Sequence, residues 1–127
     1  MQALLSRITI AAAAAMLSSA VPIHQAATPT QTGRTPQFEN DDVKVWRSLI
    51  QPGTPLPLHR HDHPRVIVAL RGGTMNIIDA DGTKEVHPWE TNHAYWLPAM
   101  PPGHTHQDAN AGTEPIEVMV IELEHEH

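Results

Sequence analysis

From Asp41 onward, apolar positions come in short runs: VKVWRSLI (43–50), RVIVAL (65–70), TMNIID (74–79), TKEVH (83–87), HAYWLP (93–98) and IEVMVIELE (116–124). These runs are rich in β-branched and aromatic residues, and none repeats at a helical period. The chain has 12 prolines, and most fall between the runs, where a missing N–H breaks no strand ladder. Ala80-Asp81-Gly82 separates two runs as a hairpin turn would, with Gly82 supplying the positive φ, and the RGGT of 71–74 predicts a second such turn one strand earlier. Short strands at this spacing with no helices between them predict an all-β sandwich or barrel. Trp46, Trp89, Trp96 and Tyr95 are the side chains large enough to fill and cover a small barrel, and Met75, Met100 and Met119 read as core or cavity lining. VKVWRSLI and IEVMVIELE are apolar enough to be edge strands that pair across a two-fold axis, which would make a homodimer.

The segment before Asp41 has a different texture. Residues 1–20, MQALLSRITIAAAAAMLSSA, carry Arg7, then an apolar Ala-rich run and a small-residue ending. This reads as a signal peptide cleaved near Ala20. The apolar run spans about 14 residues before Pro22, short of the roughly 20 that cross a bilayer. Export, to the periplasm or outside the cell, is therefore expected, with no membrane attachment after cleavage. Residues 21–40, rich in Thr, Pro, Gln and Ala, read as a flexible linker, which leaves 41–124 for one folded domain. At 127 residues the chain has length for a single core.

Composition narrows the chemistry. There are no cysteines, so thiolate catalysis and disulfide staples are excluded, and an exported domain of this size must hold by core packing, with or without a metal. Eight basic residues stand against 14 acidic ones, a formal charge of −6, and removal of the first segment takes away only a base. Such a balance argues against nucleic acid or an anionic membrane as partner. A small molecule is the expected partner.

Ten histidines are the unusual feature. In LPLHRHDHPRV, residues 56–66, His59, His61 and His63 alternate, and side chains at i and i+2 of an extended segment share a face. His104 and His106 repeat that spacing in PPGHTHQDAN, residues 101–110. Together the two stretches resemble the paired motifs of the cupin superfamily, small antiparallel jelly rolls of RmlC-like, conserved-barrel type. Gly53, five residues, His59-x-His61, three residues, Arg65, six residues and Gly72 follow the first motif, except that Arg65 stands where the motif has glutamate. Pro101, Gly103, His106 and Asn110 follow the second, whose leading glycine is replaced by Tyr95. The likeness covers residues 43–123. It implies a double-stranded β-helix (jelly-roll) barrel in which His59, His61 and His106 bind a divalent metal ion: Zn, Cu, Fe, Mn or Ni.

A guanidinium has no lone pair, so Arg65 cannot act as the missing carboxylate ligand. Two arrangements remain. In one, three neutral imidazoles hold the ion, and Arg65 clamps the carboxylate of a bound substrate. In the other, His63 turns inward beside Pro64 as a fourth ligand; this places Arg65 close to the ion, where like charge opposes it unless an anion intervenes. Arg65 has a structural alternative as well, an ion pair with Asp62 or Asp108. Asn110 reads as a turn former, and His87, His93, His104 and the terminal EHEH as solvated or rim residues. A three-histidine site leaves positions open for substrate and dioxygen, and the resemblance implies dioxygenase-like chemistry. The alternative is a non-catalytic module binding a small ligand over a structural or Lewis-acid metal. A chain that folds outside the cell and takes its metal there would favour copper or zinc at imidazole ligands.

Overall fold

A computed structural model describes residues 29–125; the signal-peptide reading and the first part of the linker reading lie outside them. Eight strands follow in order: β1 (Gly33–Glu39), β2 (Val43–Ile50), β3 (Arg65–Arg71), β4 (Gly73–Asp79), β5 (Lys84–Trp89), β6 (Ala94–Leu97), β7 (His106–Asn110) and β8 (Ile116–Leu123). All pairings are antiparallel. One sheet has five strands in the order β1-β2-β8-β3-β6, and the other has three in the order β5-β4-β7. The result is the all-β jelly roll expected from the runs and from the motif likeness. Among the described residues there is no helix, and so none long and apolar enough to cross a membrane.

Alternation along the strands decides which residues meet between the sheets. Ile116, Val118 and Val120 of β8 and Ile67 and Ala69 of β3 are buried, as the two-residue period of a half-covered strand requires. They join Trp46, Ile50, Leu56, Met75 and Trp89 in one core. The same parity carries Glu122 of β8 and Arg65 of β3 to the inner face, at the end of the core where the histidines lie.

Four expectations are corrected. The barrel begins at Gly33 rather than Asp41, because Gly33–Glu39 pairs with β2 despite its Pro36, a bulge separating Pro36 from Phe38. Neither β2 nor β8 is an edge: they pair with one another, β1 covers the far side of β2, and β8 fills the space beside β3. Neither strand therefore has an open edge with which to pair across a two-fold axis. RGGT is not a hairpin, since β3 and β4 belong to different sheets. It is a corner, and Gly72 is needed there because a Cβ would collide with Trp89 O and come within 2.7 Å of Thr91 N. Finally, Trp96 is 58% exposed on the outer face of β6 and Met119 also faces outward; neither fills the barrel. The turn at Ala80-Asp81-Gly82 does join β4 to β5, with Gly82 at φ 88°.

Asn110 closes the barrel end as a turn-forming residue. Its Nδ2 donates to Ile50 O (3.0 Å) and Glu114 O (2.6 Å), and its Oδ1 accepts from Gly112 N (2.8 Å). The Gly72 corner gives the first prediction. Gly72→Ala should lower unfolding stability by about 3 kcal/mol, the range of an overpacked site that only backbone movement can relieve, measured by urea denaturation; an unchanged midpoint would show that the corner has room.

Candidate metal centre

The first histidine motif does not form a regular strand. The segment bends at Leu58, Asp62 and His63 and is tied to β7 through the backbone at two residues: Leu56 N donates to Asp108 O (2.9 Å), His59 N to His106 O (2.8 Å), and His106 N to His59 O (2.9 Å). Met100 N then donates to His61 O (2.9 Å), and the Met100 sulfur accepts from His61 N at 3.4 Å. Arg60 points the other way. Its Nη1 donates to Pro101 O (2.8 Å) and His104 O (3.0 Å), fastening the loop before β7, while Nε binds Asp62.

These ties bring three rings together. The ring centroids of His59 and His106 are 4.7 Å apart, those of His59 and His61 5.0 Å, and those of His61 and His106 5.5 Å. One nitrogen from each lies within 4.8 Å of the others. His59 Nδ1 lies 2.8 Å from Pro57 O; a carbonyl can only accept, so Nδ1 carries the proton and Nε2 keeps its lone pair. His61 Nδ1 lies 2.9 Å from Glu122 Oε2, and an ionised carboxylate imposes the same tautomer. The Nε2 atoms of His59 and His106 approach to 3.1 Å. Three ring nitrogens gathered in one small space suit a divalent cation.

The electrostatics agree. Burial pushes all three imidazoles toward the neutral form that can ligate: His59 and His61 are held below their ordinary value, and His106 is pushed down to about 4. Burial alone would raise the Glu122 carboxyl, but the hydrogen bond from His61 and the nearby Arg65 guanidinium outweigh it and hold Glu122 below its ordinary value. Asp108 completes the charged surroundings, with Oδ2 3.5 Å from His59 Nε2 and Oδ1 3.7 Å from His106 Nε2.

Between the sheets below the rings is a cavity of about 40 Å³, lined by Arg34, Trp46, His61, Arg65 and Asp108 above an apolar floor. It has room for two or three waters' worth of ligand. Trp46 stacks against His61 (6.0 Å between centroids, 4° between planes), and the Arg34 guanidinium lies over the Trp46 ring at 5.1 Å. Trp46 Nε1 is buried with no partner among the described residues. A wider groove of about 350 Å³ reaches the cluster from outside and is lined by Arg65, His106, Ile77, Leu97 and Met100.

The profile of the Auxin binding protein family matches residues 30–124. The chain belongs to that family. Auxin-binding protein 1 of Arabidopsis thaliana is 32% identical over 85 residues, which cover 63% of this chain and 41% of that protein, so the chain spans less than half the length of this relative. Among solved structures, a cupin domain from Bordetella pertussis superposes with a TM-score of 0.63 at 24% identity, covering 72% of this chain and 92% of the other. An RmlC-like cupin with a double-stranded β-helix from Methanocaldococcus jannaschii superposes at 0.56 with 11% identity, covering 76% and 85%. These neighbours establish the cupin fold.

In this member of the auxin-binding protein family, the structure gathers His59, His61 and His106, as the motif spacing implied. His63 is half-buried and outside that group. Arg65 is 4% exposed and pairs with neither suggested acid: Asp62 binds Arg60, and Arg65 Nη1 donates to Pro98 O at 3.2 Å. Sequence reasoning missed Glu122 and the closeness of Asp108, Arg60 and Arg34. For Glu122 and Asp108 the signal was present, since each continues the inward parity of its strand. Nothing in the sequence marked Arg60 or Arg34. Glu122→Gln keeps an acceptor for His61 Nδ1 but removes the charge; it should weaken zinc binding about tenfold or more, the usual effect of losing the carboxylate behind a ligating histidine. Competition against a chromophoric chelator measures this, and an unchanged affinity would remove Glu122 from the site.

Proposed function

We propose that the protein binds a divalent cation through His59, His61 and His106 and uses it, with Arg65, to hold a small carboxylate-bearing molecule. The carrying observation is the convergence of three imidazole nitrogens next to a buried guanidinium that makes one hydrogen bond among the described residues. A guanidinium with free donors at the edge of an open groove is a bidentate partner for a planar anion. Arg65 and His106 share the walls of the wider groove, whose volume lies in the range of small-molecule sites. A carboxylate entering there meets the cation and the clamp together, and its apolar body meets Ile77, Leu97 and Met100. The Arabidopsis relative is named for binding auxin, which supports a ligand-binding role over a purely structural barrel. The amino-terminal segment supports a cell-envelope location, periplasmic or secreted, where zinc or copper would be the cation acquired.

An oxygen-dependent enzyme is the second reading. Three neutral histidines leave coordination positions free, and an iron form could use them for dioxygen and substrate. Oxygen uptake by iron-loaded protein with small thiols, amino acids and carboxylates separates the two readings; uptake with any of these substrates would favour the enzyme.

Two variants test the binding reading. Protein purified without an affinity tag should contain close to one zinc or copper per chain by elemental analysis, and His106→Ala should abolish it; equal metal in both would refute the centre. Arg65→Met should leave metal content unchanged and weaken binding of a small carboxylate by about 1.5 to 3 kcal/mol, the worth of a charged hydrogen bond. Calorimetry with zinc-loaded protein measures this, and equal affinity in the variant would remove the clamp.

A further inference from the structure

Asp108 has no role in the fold that its side chain must fill. Its backbone carbonyl accepts from Leu56 N, yet its carboxylate makes no hydrogen bond among the described residues. Oδ2 stands 3.5 Å from His59 Nε2 and Oδ1 3.7 Å from His106 Nε2, at or beyond the limit of a hydrogen bond. The spacing suits a different relation. Nitrogen and oxygen ligands about 2.0 to 2.2 Å from a tetrahedral ion lie about 3.4 Å from one another. Asp108 is therefore separated from two of the histidine nitrogens by the edge length of such a coordination shell, and it straddles both.

Placement on the strand explains how it gets there. His106 and Asp108 are two residues apart on β7 and project to the same face. β7 is pinned on one side by Ile77 of β4, opposite Asp108, and on the other by the segment that carries His59. The carboxylate is thus positioned by the same main-chain ladder that positions two of the histidines. Charge points the same way. Three neutral imidazoles leave a divalent ion's charge uncompensated in a cavity that also holds Arg34 and Arg65, and Glu122 reaches the centre only through His61. We propose that Asp108 is the fourth protein ligand, a carboxylate delivered by β7 where the first histidine motif, with Arg65 at its glutamate position, supplies none. The assignment rests on the metal reading of the three histidines. It also gives Arg65 its freedom: with the carboxylate coming from β7, the β3 position is left to face the exogenous anion.

The experiment is a cobalt(II) titration of the full-length protein, followed by visible absorption and by chelator competition, for wild type, His106→Ala, Asp108→Asn, Asp108→Glu and Glu122→Gln. Circular dichroism reports folding of each. Wild type should take up one cobalt and His106→Ala none; if wild type takes up none, the metal reading fails and this assignment with it. If that reading stands, Asp108→Asn should bind cobalt at least about tenfold more weakly and shift the ligand-field bands, because an oxygen anion has left the coordination shell. Glu122→Gln should weaken binding with the bands in place. Asp108→Glu, which retains a carboxylate, should recover most of the affinity, and it carries the test should the asparagine variant fail to fold. Unaltered bands in Asp108→Asn, with or without a loss of affinity, would overturn the assignment while leaving the three-histidine centre intact.

Discussion

The two reciprocal backbone hydrogen bonds between His59 and His106 are the constraint on which the site depends. They join stretches of chain 47 positions apart into a single antiparallel step, and in such a step opposed side chains on one face stand within contact distance. Once the step forms, the two rings need only an ordinary rotamer to meet. His61 joins them because the next two hydrogen-bonded contacts, to Met100, hold its backbone beside the same loop. Arg60 sets that loop from the outside by filling its carbonyls. The centre is therefore mostly a product of main-chain pairing, which is stiff, and only secondarily of side-chain packing. A site meant to hold geometry to a fraction of an ångström gains from being built on such elements.

The second organising fact is the number of charges around a small volume. Arg34 and Arg65 are both partly stripped of water, which lowers their affinity for protons, and Asp108 and Glu122 oppose that effect. Two unit charges of like sign about 5 Å apart near a protein surface repel by roughly 3 kcal/mol. The two arginines and the two carboxylates cancel among themselves, so a divalent ion would add net positive charge that a bound anion would offset. Trp46 contacts both groups, its ring stacked with the His61 imidazole and approached by the Arg34 guanidinium.

Much of the fold was legible because a half-buried strand writes its period into the sequence. The runs that became β2 to β6 and β8, and the turn at Gly82, could be read directly. β1 could not, because six of its seven residues are exposed and its Pro36 suggests a linker; it is a strand only because β2 offers an unpaired edge. The corner at Gly72 resembled a hairpin because local turn chemistry is the same whether the next strand returns to its own sheet or crosses to the other. At the site, the three histidines were found through two motif spacings taken together. His63 shared the alternation of His59 and His61 but not their backbone anchoring, and alternation without anchoring did not bring it in. Asp108 was legible only as a possible partner of Arg65, and Glu122 carried no motif signal, although strand parity marks both as inward-facing.

The position of β8 has a consequence for how the molecule comes into being. It is the last of the described strands and yet lies in the middle of the larger sheet, between β2 and β3. Until it arrives, both neighbours present bare edges and Glu122 is not behind His61. A chain emerging from its amino end, whether from a ribosome or a secretion channel, thus cannot assemble the larger sheet piecemeal, and non-local pairing of this kind is slow. The cluster with Glu122 behind His61 is complete only once β8 has joined the sheet.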